Sequence, residues 1–380
     1  MEGYYPRKFG RVGGAGSYIQ NIGREMTQLG HEVSVICAKF DKKTIQFKDG
    51  FIQVYPIMEY QPSHFIYFLN KIPLFNIGSA LLFYIHNGLK IHLFLRRLNK
   101  VNKIDFVEYS EGGDFWNAIL KKFPYVSHLH GSNYTFKIQS GQKIALHDIL
   151  RRKAEHIFIK HAQKVISPSR AMVGYVEREM RRKLDQARVI PYPVINSPND
   201  LVKISKENKS ASILFASRND PVKGGELLIR ALELLPISIH SKICVKFYGF
   251  IPTKDLSHLK FLEIIDFVPK AELDIAYKKA HICIIPSLFD NSPNTVYEAM
   301  SNGKIVVASD VGGIPEIIGN SENGYLFIPG NDRDLCEKLT KAINLVLEGK
   351  SNLMGRNAQR WIWDRANIKE NAQMRLNLIQ

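Results

Sequence analysis

Residues 287–300, SLFDNSPNTVYEAM, bring two carboxylates and a helix start into one short stretch. Asp290 falls in a loop, and Glu298 falls about one turn into a helix, eight positions later. Carboxylates placed around such a turn can accept hydrogen bonds from sugar and ribose hydroxyls. Asn294 is expected to cap the helix, with the backbone N–H groups of Asn294, Thr295 and Val296 facing outward. A helix N-terminus of this kind attracts an anion such as phosphate through its free amides and its dipole. For Glu298 alone, simple helix capping is the competing role.

A second cluster is Ser217–Gly225, SRNDPVKGG, where Arg218 and Lys223 bracket a turn made by Asp220 and Pro221. Two cations at a strand end can neutralise a diphosphate leaving group as its bond to a sugar breaks. The same residues would also suit an ordinary basic surface turn. The loop Arg11–Ser17, RVGGAGS, opens the first helix, and its glycines, Gly14 among them, permit close backbone approach to a phosphate. His128–Ser132, HLHGS, ends a strand, and a neutral His130 can hydrogen-bond a sugar hydroxyl.

These residues need strands and helices to hold them. Residues 212–216, 243–248, 262–267, 282–286, 305–309 and 324–328 read as strands, separated by helical stretches at 225–234, 270–279, 295–301, 314–318 and 332–348. Apolar strands alternating with helices indicate a parallel, doubly wound sheet, which binds ligands beyond the carboxyl ends of its strands. The first half carries strand runs at 32–39, 51–56, 106–109, 125–129, 164–167 and 187–190, and a helix at 17–29 closed by Gly30. No apolar strand is evident before Gly13 and Gly14, where a doubly wound domain normally has one. Polar residues 196–210 read as the linker between an N-terminal domain, 1–195, and a C-terminal domain, 196–360.

At 380 residues the chain suits two α/β domains rather than one core. Its net charge of +16 is unevenly divided: residues 1–190 hold 29 Lys and Arg against 15 Asp and Glu, residues 191–380 hold 23 against 21. A positive N-terminal half attracts an anionic membrane surface, nucleic acid or a phosphorylated substrate. The basic residues form no recognisable nucleic-acid motif, so no nucleic-acid partner is expected. Residues 64–100 combine aromatic-rich apolar runs with Arg96, Arg97 and Lys100; they are too interrupted to span a bilayer and suit a long packed helix or an interfacial one. The four cysteines lack metal-ligand spacing and read as small buried hydrophobes of a reducing compartment. Met1–Arg11 has no signal-peptide pattern, so a cytoplasmic protein, peripheral at the inner face of the membrane, is the expectation.

Several stretches carry a resemblance: YYPRKFGRVGGAGSYIQNIGREMTQLGHEV, HLHGS, VISPSRAM, FASRNDPVKGGELLIRAL, SLFDNSPNTVYEAMSNGKIVVASDVGGIPEII and NGYLF. Together they resemble glycosyltransferase family four (glycosyl transferases group 1), the large retaining family of GT-B architecture. The resemblance implies an α/β fold of two Rossmann-like doubly wound domains facing a central cleft. The N-terminal one would bind the acceptor, and a final helix, residues 361–380, would pack back on it and bury Trp361 and Trp363 at the crossover. It further implies that Arg218 and Lys223 hold the donor diphosphate and that Glu298 binds the ribose hydroxyls. Asn294, Thr295 and Val296 would offer amides to phosphate, Gly14 would shape the wall near the diphosphate, and His130 would contact the transferred sugar. Family members commonly have Glu where this chain has Asp290. No cofactor and no metal are expected, the nucleoside-diphosphate sugar being a co-substrate.

The expected activity is retaining hexosyl transfer from a UDP or GDP sugar to a glycan, lipid-linked or other hydroxyl acceptor, in polysaccharide or glycoconjugate synthesis. Two other classes use similar residues: a nucleotide-sugar epimerase or hydrolase, and an inactive binding-only partner subunit. Joint retention of Arg218, Lys223 and Glu298 argues against the inactive partner.

Overall fold

The computed structural model describes residues 14–39, 45–58, 73–195 and 210–379. The chain divides into two compact units, one of residues 1–193 with 368–380, the other of residues 194–367. The expected linker at 196–210 and the segment preceding Gly14 fall largely outside the described residues.

In the first unit α1 (Gly14–Gln28) buries Tyr18 and Ile22. It closes on Gly30, whose φ of +90° permits His31 N–H to donate to Met26 and Gly30 N–H to Thr27. The strands β1 (Ser34–Ala38), β2 (Phe47–Asp49) and β3 (Ile52–Met58) form one sheet in the order β1-β3-β2, β1 parallel to β3 and β2 antiparallel to it. A second sheet contains β4 (Val107–Ser110), β5 (Tyr125–His128), β6 (Lys164–Ser167) and β7 (Ala187–Val189), all parallel and in that order. Among the described residues these two sheets are separate rather than one continuous sheet, with no strand paired to the outer edge of β1 or β4. The helices are α2 (Pro73–Val101), α3 (Phe115–Leu120), α4 (Asn133–Gln139), α5 (Leu146–His161) and α6 (Arg170–Met180). The aromatic-rich segment expected as a long helix within 64–100 is one 29-residue helix from Pro73 to Val101. Among the described residues no helix is long and apolar enough to cross a membrane.

The second unit is one six-stranded sheet of β8 (Ala211–Ala216), β9 (Ile243–Tyr248), β10 (Leu262–Ile265), β11 (Ile282–Ile285), β12 (Ile305–Ser309) and β13 (Tyr325–Phe327). Every pairing is parallel, in the order β10-β9-β8-β11-β12-β13. The first strand of the unit thus lies beside the fourth, and the order reverses between β8 and β11. Its longer helices are α7 (Gly225–Glu233), α8 (Lys270–Lys279), α9 (Asn294–Ser301), α10 (Asp332–Leu347) and α11 (Asn352–Ala366). Leu228 and Leu232 of α7 meet Leu339 and Ile343 of α10 over Val245 and Ile284 of the sheet, all buried. Each such side chain contributes roughly 1.5–3 kcal/mol on burial, so this core fixes the strand ends that carry the site. The helical stretch expected at 314–318 is a single 3-10 turn, Ile314–Glu316.

The final helix, α12 (Ile368–Ile379), belongs to the first unit and packs on α1. It begins at Ile368, not at residue 361. Trp361 and Trp363 sit on α11 of the second unit, Trp361 near Tyr297 with ring centroids 6.4 Å apart and Trp363 39% exposed. The cysteines are all free; Cys37 and Cys283 are buried as expected, whereas Cys244 and Cys336 are only partly so.

Candidate functional site

In a doubly wound sheet the crevice opens where strand order reverses, beyond the carboxyl ends of the two central strands. In the second unit those strands are β8 and β11, and the loops leaving them are the two clusters singled out in the sequence. Asp220 caps the 3-10 turn Pro221–Lys223 by accepting from Val222 N–H at 3.0 Å. That turn presents Lys223, whose Nζ lies 2.6 Å from Asp290 Oδ2. Asp290 is 6% exposed. The two loops are also joined through the backbone, Leu288 N–H donating to Val222 O at 2.7 Å. Arg218, at the end of β8, is exposed and enters no ion pair among the described residues. A bound pair and an uncommitted guanidinium thus stand at neighbouring strand ends.

Two glycines make the loops fit. Gly224 has a φ of +74°, and a Cβ there would run into the Pro286 carbonyl at the exit of β11. Gly312, in the loop after β12, has a φ of +55° and abuts the Asp290 carbonyl, while Gly313 N–H donates to Asn291 O at 2.8 Å. Gly224→Ala is therefore expected to destabilise the unit by at least about 1–2 kcal/mol from left-handed backbone strain alone, with the displaced carbonyl adding to it. Urea denaturation monitors this, and an unchanged midpoint would show that the turn relaxes freely.

The helix after β11 begins at Asn294, but Asn294 is its first residue rather than its cap. Pro293 occupies the cap position with φ −71° and ψ 127°. Val296 N–H already donates to Pro293 O at 3.0 Å, so of the three expected phosphate amides this one is engaged within the turn itself. Glu298 does not cap the helix. Its Oε1 accepts from Lys270 Nζ at 2.8 Å, and Lys270 also bonds Asp274 at 2.7 Å. Burial lowers the Lys270 pKa, but the charges of Glu298 and Asp274 outweigh it and raise the net value. Lys270 heads α8, beyond the end of β10, and sequence reading did not single it out.

The first unit gathers a different group at the ends of β4 and β5. His130 Nδ1 lies 2.8 Å from Tyr192 Oη, and its ring stacks on that of His128 at 3.9 Å between centroids. His128 is fully buried and its Nδ1 lies 2.8 Å from Glu108 Oε1, which also accepts from Tyr18 Oη at 2.6 Å. From α12, Arg375 places its guanidinium 3.7 Å from Glu108 Oε2 and 4.8 Å from the centre of the Tyr18 ring. Arg375 is 3% exposed, and its Nε is held by Asn371 Oδ1 at 3.0 Å. Burial opposes ionisation of Glu108, yet the Arg375 charge and the His128 and Tyr18 hydrogen bonds hold its carboxyl well below the usual range. Burial, His128 and Arg375 together press the His130 pKa well below that of a free imidazole, keeping it neutral at physiological pH. Gly14 starts α1, one turn before Tyr18, whose ring lies 5.6 Å from that of His130.

The loop carrying His130 is fixed by Glu111, which accepts from His130 N–H at 3.1 Å and Gly131 N–H at 2.6 Å. Burial first, and then the charge of Glu155, push the Glu111 pKa up to about 7. Glu108 and Glu111 were missed in the sequence although FVEYSEGGD ends a strand; the strand-end criterion would have found them.

Residues 12–195 match the family model described as Glycosyltransferase Family 4, and residues 196–361 match Glycosyl transferases group 1. An uncharacterized glycosyltransferase of Methanocaldococcus jannaschii is 24% identical over 350 residues, covering 86% of this chain and 84% of that protein. Among solved structures, sucrose-phosphate synthase of Thermosynechococcus elongatus superimposes with a TM-score of 0.72 at 16% identity, over 97% of this chain and 93% of the other. HepE of Anabaena in complex with UDP-glucose gives 0.64 at 18% identity, over 99% and 98%.

Proposed function

We propose that this chain, which belongs to the glycosyltransferases of GT-B architecture and resembles family four, is a retaining hexosyltransferase using a nucleoside-diphosphate sugar. The observation that carries the proposal is the Lys223–Asp290 pair at the β8/β11 switch point, with exposed Arg218 on the same loop. Cations at that position meet the diphosphate as negative charge develops on it, which is where preorganised charge accelerates a reaction most. A uridine diphosphate donor is favoured by the UDP-glucose complex of the similarly folded HepE, with GDP the alternative. The acceptor is a hydroxyl of a glycan or lipid-linked saccharide, in polysaccharide or glycoconjugate synthesis. The reaction runs in the cytoplasm, with the basic first unit in peripheral contact with an anionic membrane.

The placement of the acids in the second unit supports the retaining reading. A double displacement needs a carboxylate nucleophile at the anomeric carbon, and inversion needs a base for the acceptor on the opposite face. Asp290 is engaged by Lys223 and Glu298 by Lys270, which leaves neither suited to those tasks. The departing phosphate oxygen instead takes the acceptor proton as the glycosidic bond forms on the same face and the sugar–phosphate bond breaks. An α-linked donor should give an α-linked product, with activity unchanged by a chelator. Proton NMR of the first-formed product reads the linkage; a β anomer excludes this mechanism.

Glu298→Gln should weaken binding of the free nucleoside diphosphate as well as of the whole donor, each charge-assisted hydrogen bond being worth roughly 1.5–3 kcal/mol. Calorimetric titration with UDP separates the roles, since an unchanged UDP affinity would move Glu298 away from the ribose. An epimerase or hydrolase on this fold is distinguished by product formation without added acceptor.

A further inference from the structure

The helices α2, α3 and α5 pack against one another, and α2 also packs on β3. Their outward residues share one character. On α2, Leu89 and Leu93 are exposed and are followed by exposed Arg96, Arg97 and Lys100 at helical spacings that keep all five on one stripe. The end of α3 exposes Ile119 and Leu120, 52% and 55% accessible, directly before exposed Lys121 and Lys122. On α5, Leu146, Ile149 and Ile157 share a stripe with Lys153 and Lys160, all exposed.

What these helices lack is exposed negative charge. The sequence of α2 holds no Asp or Glu, and neither does that of α3. The two acids of α5 are turned inward: Asp148 bonds Lys137 at 2.7 Å and Glu155 bonds Arg152 at 3.0 Å. Asp114, the cap of α3, is buried against His92 at 3.1 Å. Internal pairing has thus consumed every carboxylate of the layer and left its outer side cationic and apolar.

We infer that this three-helix face is a docking surface for an anionic lipid bilayer, with Leu89, Leu93, Ile119 and Leu120 entering the interface and the flanking Arg and Lys on lipid phosphates. A polyanion without an apolar phase, such as RNA, would match the charge but leave the exposed Leu and Ile side chains in water. Helices with apolar stripes flanked by basic residues lie in the headgroup region, and their binding combines area with charge. This inference rests on the membrane contact proposed above and not on the donor chemistry.

Flotation of the full chain, without nucleotide or acceptor, tests it on phosphatidylcholine vesicles and on the same vesicles containing phosphatidylglycerol. Binding should favour the anionic vesicles and weaken with salt, which screens exposed charge over about 8–10 Å. Lys121→Ala with Lys122→Ala should lower partition about five-fold per residue, and Ile119→Ser with Leu120→Ser should lower it at least as far. Lys254→Ala with Lys350→Ala, the same charge change in the second unit, should leave binding within about two-fold; circular dichroism checks that each variant is folded. Equal binding to both vesicle types, no binding, or equal losses in the control pair would overturn the inference. So would an RNA competitor that is released by the helix-face variants while vesicle binding persists. Transfer to a soluble acceptor in a protein that ignores vesicles would sink this inference and leave the transferase reading standing.

Discussion

Lys223→Ala should retain the fold and lose about 10²–10³ in turnover, the usual cost of removing one preorganised donor to a developing oxyanion. The position of Lys223 makes the loss specific. Its Nζ is 2.6 Å from a carboxylate that is itself 6% exposed, so deleting the ammonium leaves Asp290 as a nearly buried anion beside the diphosphate position proposed above. Two effects then combine: charge stabilisation is lost, and repulsion is gained. Donor binding should weaken along with turnover. The double variant Lys223→Ala, Asp290→Asn separates them, because it removes the repulsion without restoring the cation. Nucleotide affinity should recover in the double variant while turnover stays low. Near-normal turnover in folded Lys223→Ala would remove Lys223 from the leaving-group site, and failure of Asp290→Asn to restore affinity would make the pairing irrelevant to binding.

The second unit was legible because its strands read as apolar runs between polar loops, two of them, Ile282–Ile285 and Ile305–Ser309, being buried along their whole length. Ile243–Tyr248 and Ile305–Ser309 occur with the bounds expected from the sequence. The loops that follow such strands could be found from that pattern alone, which is how Arg218, Lys223 and Asp290 were singled out. The partners of Glu298 and Glu108 were not legible. Lys270 is 28 residues from Glu298, and Arg375 is far in sequence from Glu108; no local periodicity encodes such pairs. The break between α11 and α12 was hidden for another reason. It falls at Asn367, in extended conformation with φ −57° and ψ 131°, where Val194 N–H bonds the preceding Ala366 O. Neither Gly nor Pro marks the position, so a helical pattern from residue 361 onward runs through it. The expected cap at Asn294 failed because Pro293, a residue with no capping side chain, already occupies that position.

Glu111 makes the stability of the first unit depend on pH in the direction opposite to most carboxylates. Its pKa rises from 4.5 to about 7 in the folded chain, chiefly because burial disfavours the anion and secondarily because Glu155 lies close. The folded state therefore binds a proton more tightly than the unfolded chain does. That advantage is complete below pH 4.5 and is lost as pH rises through about 7. Its full size is about 3 kcal/mol, the shift multiplied by roughly 1.4 kcal/mol per pKa unit. Glu111→Gln mimics the uncharged acid and keeps one acceptor oxygen for one of the two amides, Gly131 N–H on Oε1 at 2.6 Å or His130 N–H on Oε2 at 3.1 Å, at a cost that does not vary with pH. The stability of the variant relative to the parent should rise by about 2–3 kcal/mol between pH 5 and pH 8. Glu155, Arg152 and every other titrating group are common to both chains and cancel in the difference. Urea unfolding at the two pH values measures it. Parallel stability curves would mean that Glu111 is ionised throughout, with the two amides and Arg152 outweighing its burial.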